Sequence, residues 1–244
     1  MKFGENRKLL KQWKKVTIPI EEKDMAWDTK KGFYVSTVVL DAPWEEEVAS
    51  IETRIGEHIN PTTISRRGFD DKITYNNFKS LDGSPWTKPA RKDRGELPDD
   101  FVWTPTYYNN PILRAVIDWF PVKKTRVRLA RTKAGAIIGA HFDWDNRRLG
   151  FPDDKELLRI WVAMEDGDAC WYRLTNGIVD ANISLRRGQF LILNTDTVIH
   201  QTETCENDRS NLIIHVESNQ WIKCLPDIFP KHCVRNPVIE PDPQ

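Results

Sequence analysis

Through the C-terminal half of the chain, apolar residues recur at every second position. Between residues 122 and 218 turn-forming groups separate such stretches: KAG, EDGD, TNG, RRG and CENDRS. Side chains of an extended strand point to opposite faces in turn, so a period of two predicts strands. Eight are expected, at 125–132, 136–143, 157–164, 169–175, 179–185, 188–194, 197–204 and 211–218. Many short strands at near-regular spacing point to a β-sandwich or barrel.

Before residue 121 the pattern is mixed. GFYVSTVVLD (32–41) is rich in β-branched and aromatic residues and predicts a strand. In 41–59, Trp44, Val48, Ile51, Ile55 and Ile59 recur at spacings of four and three, which predicts an amphipathic helix. Pro43 suits its first turn, and Glu45, Glu46 and Glu47 suit its positive end. Residues 60–100 are polar and punctuated by Pro, Gly and Asn, which predicts a long irregular segment. NPILRAVIDWF (110–120) predicts a second helix, with Asn110 as its cap, Pro111 at the first position and Pro121 closing it. The chain thus divides into 1–120, helical and irregular and shaping a pocket, and 121–244, a β core, within one compact domain.

Composition adds limits. The 244 residues are 39% hydrophobic and 30% charged, an ordinary globular balance, and suffice for a substantial core. Formal net charge is zero, so no global field favours nucleic acid or a membrane surface. The basic stretches SRRG (65–68) and KPARKDR (88–94) read as solvated loops or as holders of a substrate anion. No run approaches the ~20 apolar residues that span a bilayer, and MKFGENRKLLKQWKK has no apolar stretch of a secretory leader. A cytoplasmic protein with reduced thiols is the expectation for Cys170, Cys205, Cys224 and Cys233, which lack C-x-x-C spacing. His232 beside Cys233 matches no common zinc module.

Chemistry concentrates in GAHFDWD (139–145). On a strand, His141 and Asp143 share a face about 6–7 Å apart, close enough to reach one metal ion. Asp145 is the alternative carboxylate if the register slips by two. A third ligand from another strand is supplied by His200 in TDTVIHQTET. Two histidines and one carboxylate are the facial set of non-haem Fe(II) sites, with three positions left open. Arg209, nine residues after His200, shares a face with Asn211, Ile213 and His215. Arg159 lies beside Trp161 on the face opposite Leu158, Ile160 and Val162. Inward arginines in a barrel are costly unless they meet anions. Arg159 could instead pair with Glu165 or Asp166.

HFDWD, LLRIWVAME, GQFLILNTDTVIHQTE and DRSNLIIHV carry a resemblance to a known family. Residues 125–218 resemble the double-stranded β-helix (jelly-roll, cupin-like) core of Fe(II)/2-oxoglutarate-dependent dioxygenases. They are most similar to the aspartyl/asparaginyl β-hydroxylase-like family, which includes free-proline hydroxylases. The resemblance implies a mainly β fold with flanking helices, and Fe(II), 2-oxoglutarate and O₂ as cofactor and cosubstrates. It also implies an amino acid or amino-acid-derived small molecule as substrate. His141, Asp143 and His200 would hold iron. Arg209 would bind the distal carboxylate of 2-oxoglutarate, and Arg159 and Asn194 would assist. Family members carry R-x-H where this chain has Arg159 and Trp161. Trp144, Trp161 and His215 are candidates for the substrate pocket, and 146–156 for an inserted loop at its mouth. The retained Asp143 argues against halogenation. Two rivals are a cupin-like metal enzyme that uses no 2-oxoglutarate and a non-catalytic ligand-binding barrel.

Overall fold

The structure, a computed structural model, describes residues 32–55, 73–86, 101–143, 156–166, 171–177, 180–203, 207–225 and 234–235. All eight expected strands of the C-terminal half form. They are β4 (Lys124–Thr132), β5 (Ile137–His141), β6 (Leu157–Ala163), β7 (Trp171–Thr175), β8 (Asp180–Ile183), β9 (Gln189–Leu193), β10 (Ile199–Glu203) and β11 (Arg209–Glu217). In space they divide between two antiparallel sheets. One has the order β9-β6-β11-β4 and the other β5-β10-β7-β8. Passage of the chain back and forth between two such sheets is a jelly roll, or double-stranded β-helix.

The preceding chain extends the larger sheet at both edges. β1 (Phe33–Leu40) pairs with β9 on one side and with the short β12 (Val234–Arg235) on the other. β2 (Ile73–Ser80) pairs with β4, and β3 (Val102–Trp103) with β2. β2 corrects the expectation of an irregular 60–100. Its Asn-rich sequence reads as loop, yet Ile73, Tyr75 and Phe78 are buried, and buried Asn76 donates to Glu52 O at 2.7 Å. Satisfied buried amides let a polar-looking segment sit in a sheet.

The helices are shorter than the periodicity suggests. α1 spans Glu45–Ser50 rather than 41–59. Ile51 is extended, and Arg54 forms a two-bonded bridge with Tyr75 of β2. Pairing to the sheet thus overrides the helical stripe, and Ile55 is exposed. Ile59 lies outside the described residues. α2 (Pro105–Asn109) and α3 (Pro111–Asp118) follow, then α4 (Gln220–Lys223) after β11. Asn110 occupies the cap position of α3 without capping it through its side chain. The carboxylate of Glu47, from α1, instead accepts from the backbone N–H of Ile112 and Leu113 at 2.9 and 2.8 Å.

The larger sheet has two distinct faces. Val127, Leu129, Leu158, Ile160, Leu212 and Ile214 point to the helices, where Trp44, Phe120 and Phe190 complete one core. Each such fully buried large side chain contributes roughly 1.5–3 kcal/mol. Trp44 also donates its indole N–H to Met164 O at 2.9 Å. The other face looks onto the small sheet through Ala130, Trp161, Leu191 and Ile213. Both faces of β6 are covered, so all seven of its residues are buried. Gly188 enters β9 with φ +78 against β1, where a Cβ would meet Leu40 O at 1.9 Å. Glycine is required there.

Candidate metal centre

Between the two sheets, at one end of β5 and β10, three predicted ligands meet. β10 runs antiparallel to β5, and the register sets His200 opposite His141. Their ring centroids are 4.3 Å apart. β5 ends at His141, and Asp143 follows two residues later, held by its N–H to Thr195 O at 3.1 Å. All three side chains are buried. One ligand atom from each lies within 4.8 Å of the others.

The rings are oriented by backbone. Nδ1 of His141 lies 2.6 Å from Gly139 O, and Nδ1 of His200 lies 3.2 Å from Val198 O. A carbonyl only accepts, so Nδ1 carries the proton and Nε2 presents its lone pair. Both Nε2 atoms turn to Asp143, at 3.6 Å for His141 and 3.1 Å for His200. Burial, helped by neighbouring His200, pushes the His141 imidazole down to about 4, so it is neutral at ordinary pH. Burial alone would raise the Asp143 carboxyl. The Arg159 guanidinium beside it instead holds it well below the usual carboxylate range. An imidazole nitrogen from each of two histidines and a carboxylate oxygen thus converge. A divalent cation fits that donor set.

Arg159 makes an ion pair with Asp143. It does not engage the carboxylates that the sequence offered as partners. Glu165 accepts from Ser210 N–H at 2.5 Å and Asp166 from Arg187 N–H at 3.0 Å.

A cavity of about 540 Å³, counting the space at its mouth, runs from the triad between the sheets. Arg209 lines it with its guanidinium 4.9 Å from the centre of the Tyr172 ring. The Tyr172 hydroxyl donates to Asn211 Oδ1 at 2.9 Å, which fixes the ring. Trp161 also lines the cavity, its ring 5.6 Å from that of His200. His215 pairs opposite Arg159 in register and is buried, outside the described lining. Burial, with Arg159, Arg128 and Arg126 near it, pushes His215 well below the usual histidine range.

Asn194 lies just past β9, also outside the described lining. Its amide donates to Glu156 at 2.8 Å, and its carbonyl accepts from Val198 N–H at 3.0 Å. Trp144, Asp145, loop residues 146–155, both basic stretches and His232–Cys233 lie outside the described residues.

Arg128 and Tyr172 are among the cavity residues absent from the expectations. Arg128 of β4 is buried 4.4 Å from the centre of the Tyr75 ring, and Tyr172 faces Arg209. Arg128 had a signal in the alternation. Arg126, Arg128, Ala130 and Thr132 share one face of β4, opposite Val127 and Leu129, so an inward arginine was legible there.

No family model matches the chain, and no curated protein matches it. Solved structures with similar folds include a 2OG-Fe(II) oxygenase family oxidoreductase from Burkholderia pseudomallei. It is 14% identical with a TM-score of 0.46, over 77% of this chain and 84% of that one. A Pseudomonas putida prolyl-4-hydroxylase is 14% identical, TM-score 0.42, over 78% and 95%. HygX from Streptomyces hygroscopicus, with nickel and 2-oxoglutarate bound, is 14% identical, TM-score 0.44, over 79% and 85%. At this level of similarity, any assignment of chemistry rests on the residues of the site itself. No helix among the described residues is long and apolar enough to cross a membrane.

Proposed function

We propose that the protein is an Fe(II)- and 2-oxoglutarate-dependent oxygenase that hydroxylates a C–H bond of an amino-acid-like small molecule. The observation that carries this reading is the buried His141–Asp143–His200 set opening onto a cavity that also holds Arg209. When bound, iron, 2-oxoglutarate and O₂ supply oxidation of an unactivated C–H bond, with 2-oxoglutarate released as succinate and CO₂.

The chain's own residues do the rest. His141 and His200 hold the metal through Nε2, their tautomers fixed by Gly139 O and Val198 O. Asp143 completes the set, aimed by Arg159. Arg209, backed by Tyr172, receives the distal carboxylate of 2-oxoglutarate as a planar fork. Arg159, beside Asp143, helps to bind 2-oxoglutarate. Asn194 acts at one remove, because its turn sets Val198 and therefore the ring of His200. Trp161 walls the site against water.

The test is optical. Under anaerobic conditions, Fe(II) plus 2-oxoglutarate should give a visible metal-to-ligand charge-transfer band in the wild type. His200→Ala should lose it. Arg209→Ala should need at least about tenfold more 2-oxoglutarate to reach it, the scale of a lost charge-assisted pair. Iron binding without any band would remove the 2-oxoglutarate reading and favour a cupin-like metal site.

A further inference from the structure

Two uncharged polar groups of the cavity lining have no hydrogen-bond partner among the described residues. They are the indole N–H of Trp161 and the hydroxyl of Thr202. Both residues are more than nine-tenths buried, at 6% and 4% exposure. Buried polar groups are ordinarily paired, so a leftover donor in a cavity points to what the cavity takes up.

The strands explain why each is left over. Trp161 lies in β6 between Leu191 of β9 and Ile213 of β11, whose side chains carry no polar atom. Thr202 lies in β10 between Tyr172 of β7 and Ile138 of β5. Ile138 has nothing to offer, and the Tyr172 hydroxyl donates to Asn211. The two groups also share a location. Thr202 follows His200 on the same face of β10, roughly 6–7 Å farther along. It stands in register with Tyr172, whose ring backs Arg209. The Trp161 ring covers the same interval, 5.6 Å from the His200 ring and 5.2 Å from the Tyr172 ring. Both donors therefore lie along the stretch from the triad to Arg209.

An indole N–H only donates, and a threonine hydroxyl can donate. Their complement is a ligand that carries acceptor oxygens along that stretch. We propose that Trp161 and Thr202 bind 2-oxoglutarate, donating from Nε1 and Oγ1 to its oxygens. The proposal rests on the oxygenase reading and makes cosubstrate binding depend on two uncharged donors as well as on Arg209. Hydrogen bonds to an ionised acceptor are stronger than neutral ones, so each loss is measurable singly.

Zn(II)-loaded protein carrying ¹⁵N-indole tryptophan reports binding without turnover. Trp161→Phe keeps a ring and removes the N–H, so the signal it lacks is that of Trp161. In the wild type, saturating 2-oxoglutarate should move this signal downfield and slow its exchange with deuterated water. By calorimetry, Trp161→Phe and Thr202→Val should each weaken 2-oxoglutarate by about fivefold or more, with Zn(II) affinity held within about twofold. Thr202→Ser, which restores the hydroxyl, should recover most of the loss. The Thr202 pair needs no assigned signal and serves if Trp161→Phe folds poorly. Wild-type 2-oxoglutarate affinity in both Trp161→Phe and Thr202→Val would overturn the proposal, and the oxygenase reading would stand. So would a Trp161 signal that ignores 2-oxoglutarate, which would assign the N–H to an ordered water. A wild type that holds Zn(II) and not 2-oxoglutarate would remove the oxygenase reading first and this proposal with it.

Discussion

At the scale of single residues, the decisive contact is Arg159 with Asp143. Both are more than nine-tenths buried, with relative exposures of 7% each. Removing one partner of a buried pair leaves the other charge without compensation, at a cost of about 3–5 kcal/mol. Arg159→Met keeps the aliphatic stem and removes the charge. Its metal-free form should therefore lose about that much stability in urea denaturation. Adding a divalent metal should then stabilise Arg159→Met more than wild type, because the cation replaces what Asp143 lost. A loss below about 1 kcal/mol, the range of exposed ion pairs, would show that Arg159 does not hold Asp143. The triad itself was legible in the sequence because alternation along a strand places His141 and Asp143 on one face. The partner of Arg159 was not. Glu165 and Asp166 are near it in sequence, whereas Asp143 reaches it only through the pairing of sheets.

At the scale of elements, the eight jelly-roll strands were legible because they are short apolar or alternating runs separated by turn groups, even where, as in β6, both faces are buried. Helix ends were not legible, because contacts from elsewhere in the fold decide them. The α1 stripe through Ile55 yields to pairing of Arg54 with Tyr75. The N-terminus of α3 is capped by Glu47, 65 residues earlier for its contact with Ile112, and not by Asn110. The carboxylate satisfies two backbone donors and faces the positive end of the helix. Glu47→Ala should therefore cost about 1–2 kcal/mol of stability, the scale of a lost cap. Asn110→Ala, which loses only a bond to Thr106 O, should cost less. Chemical denaturation of the two variants side by side decides it, and the reverse order would restore Asn110 as the cap. β2 was hidden for a related reason. Asn76 donates to Glu52 O and accepts from the Thr106 hydroxyl, Asn77 accepts from Arg126, and no local pattern announces these partners.

At the scale of the whole molecule, the fold encloses ionisable groups between two apolar sheets, so its stability must follow pH. His141 is depressed to about 4, and His215 lies well below its usual value. A group depressed on folding stabilises the native state above its unfolded value and loses that contribution as pH falls. For both histidines the loss begins near 6.5 and continues toward their folded values. By pH 5.5 the unfolded chain has bound a proton at each site and the folded chain has not, a cost of about 1.4 kcal/mol per histidine. Asp143 adds nothing in this window, because its depressed carboxyl matters only below the ordinary aspartate value. Glu165 is raised by burial, so its contribution runs the opposite way and blunts the fall. Metal-free protein should accordingly melt at progressively lower temperature from pH 7.5 to 5.5. His215→Gln, which does not touch the triad, should show a shallower slope. A flat melting profile would mean that water reaches these histidines and that the space between the sheets is wetter than their burial implies. A variant slope equal to wild type would assign the effect to His141 and the triad alone. Because protons and a divalent cation compete for Nε2 of His141, metal loading should resist acid to well below the ordinary histidine value. The burial that makes the empty site sensitive to acid thus also keeps His141 neutral and available to a metal.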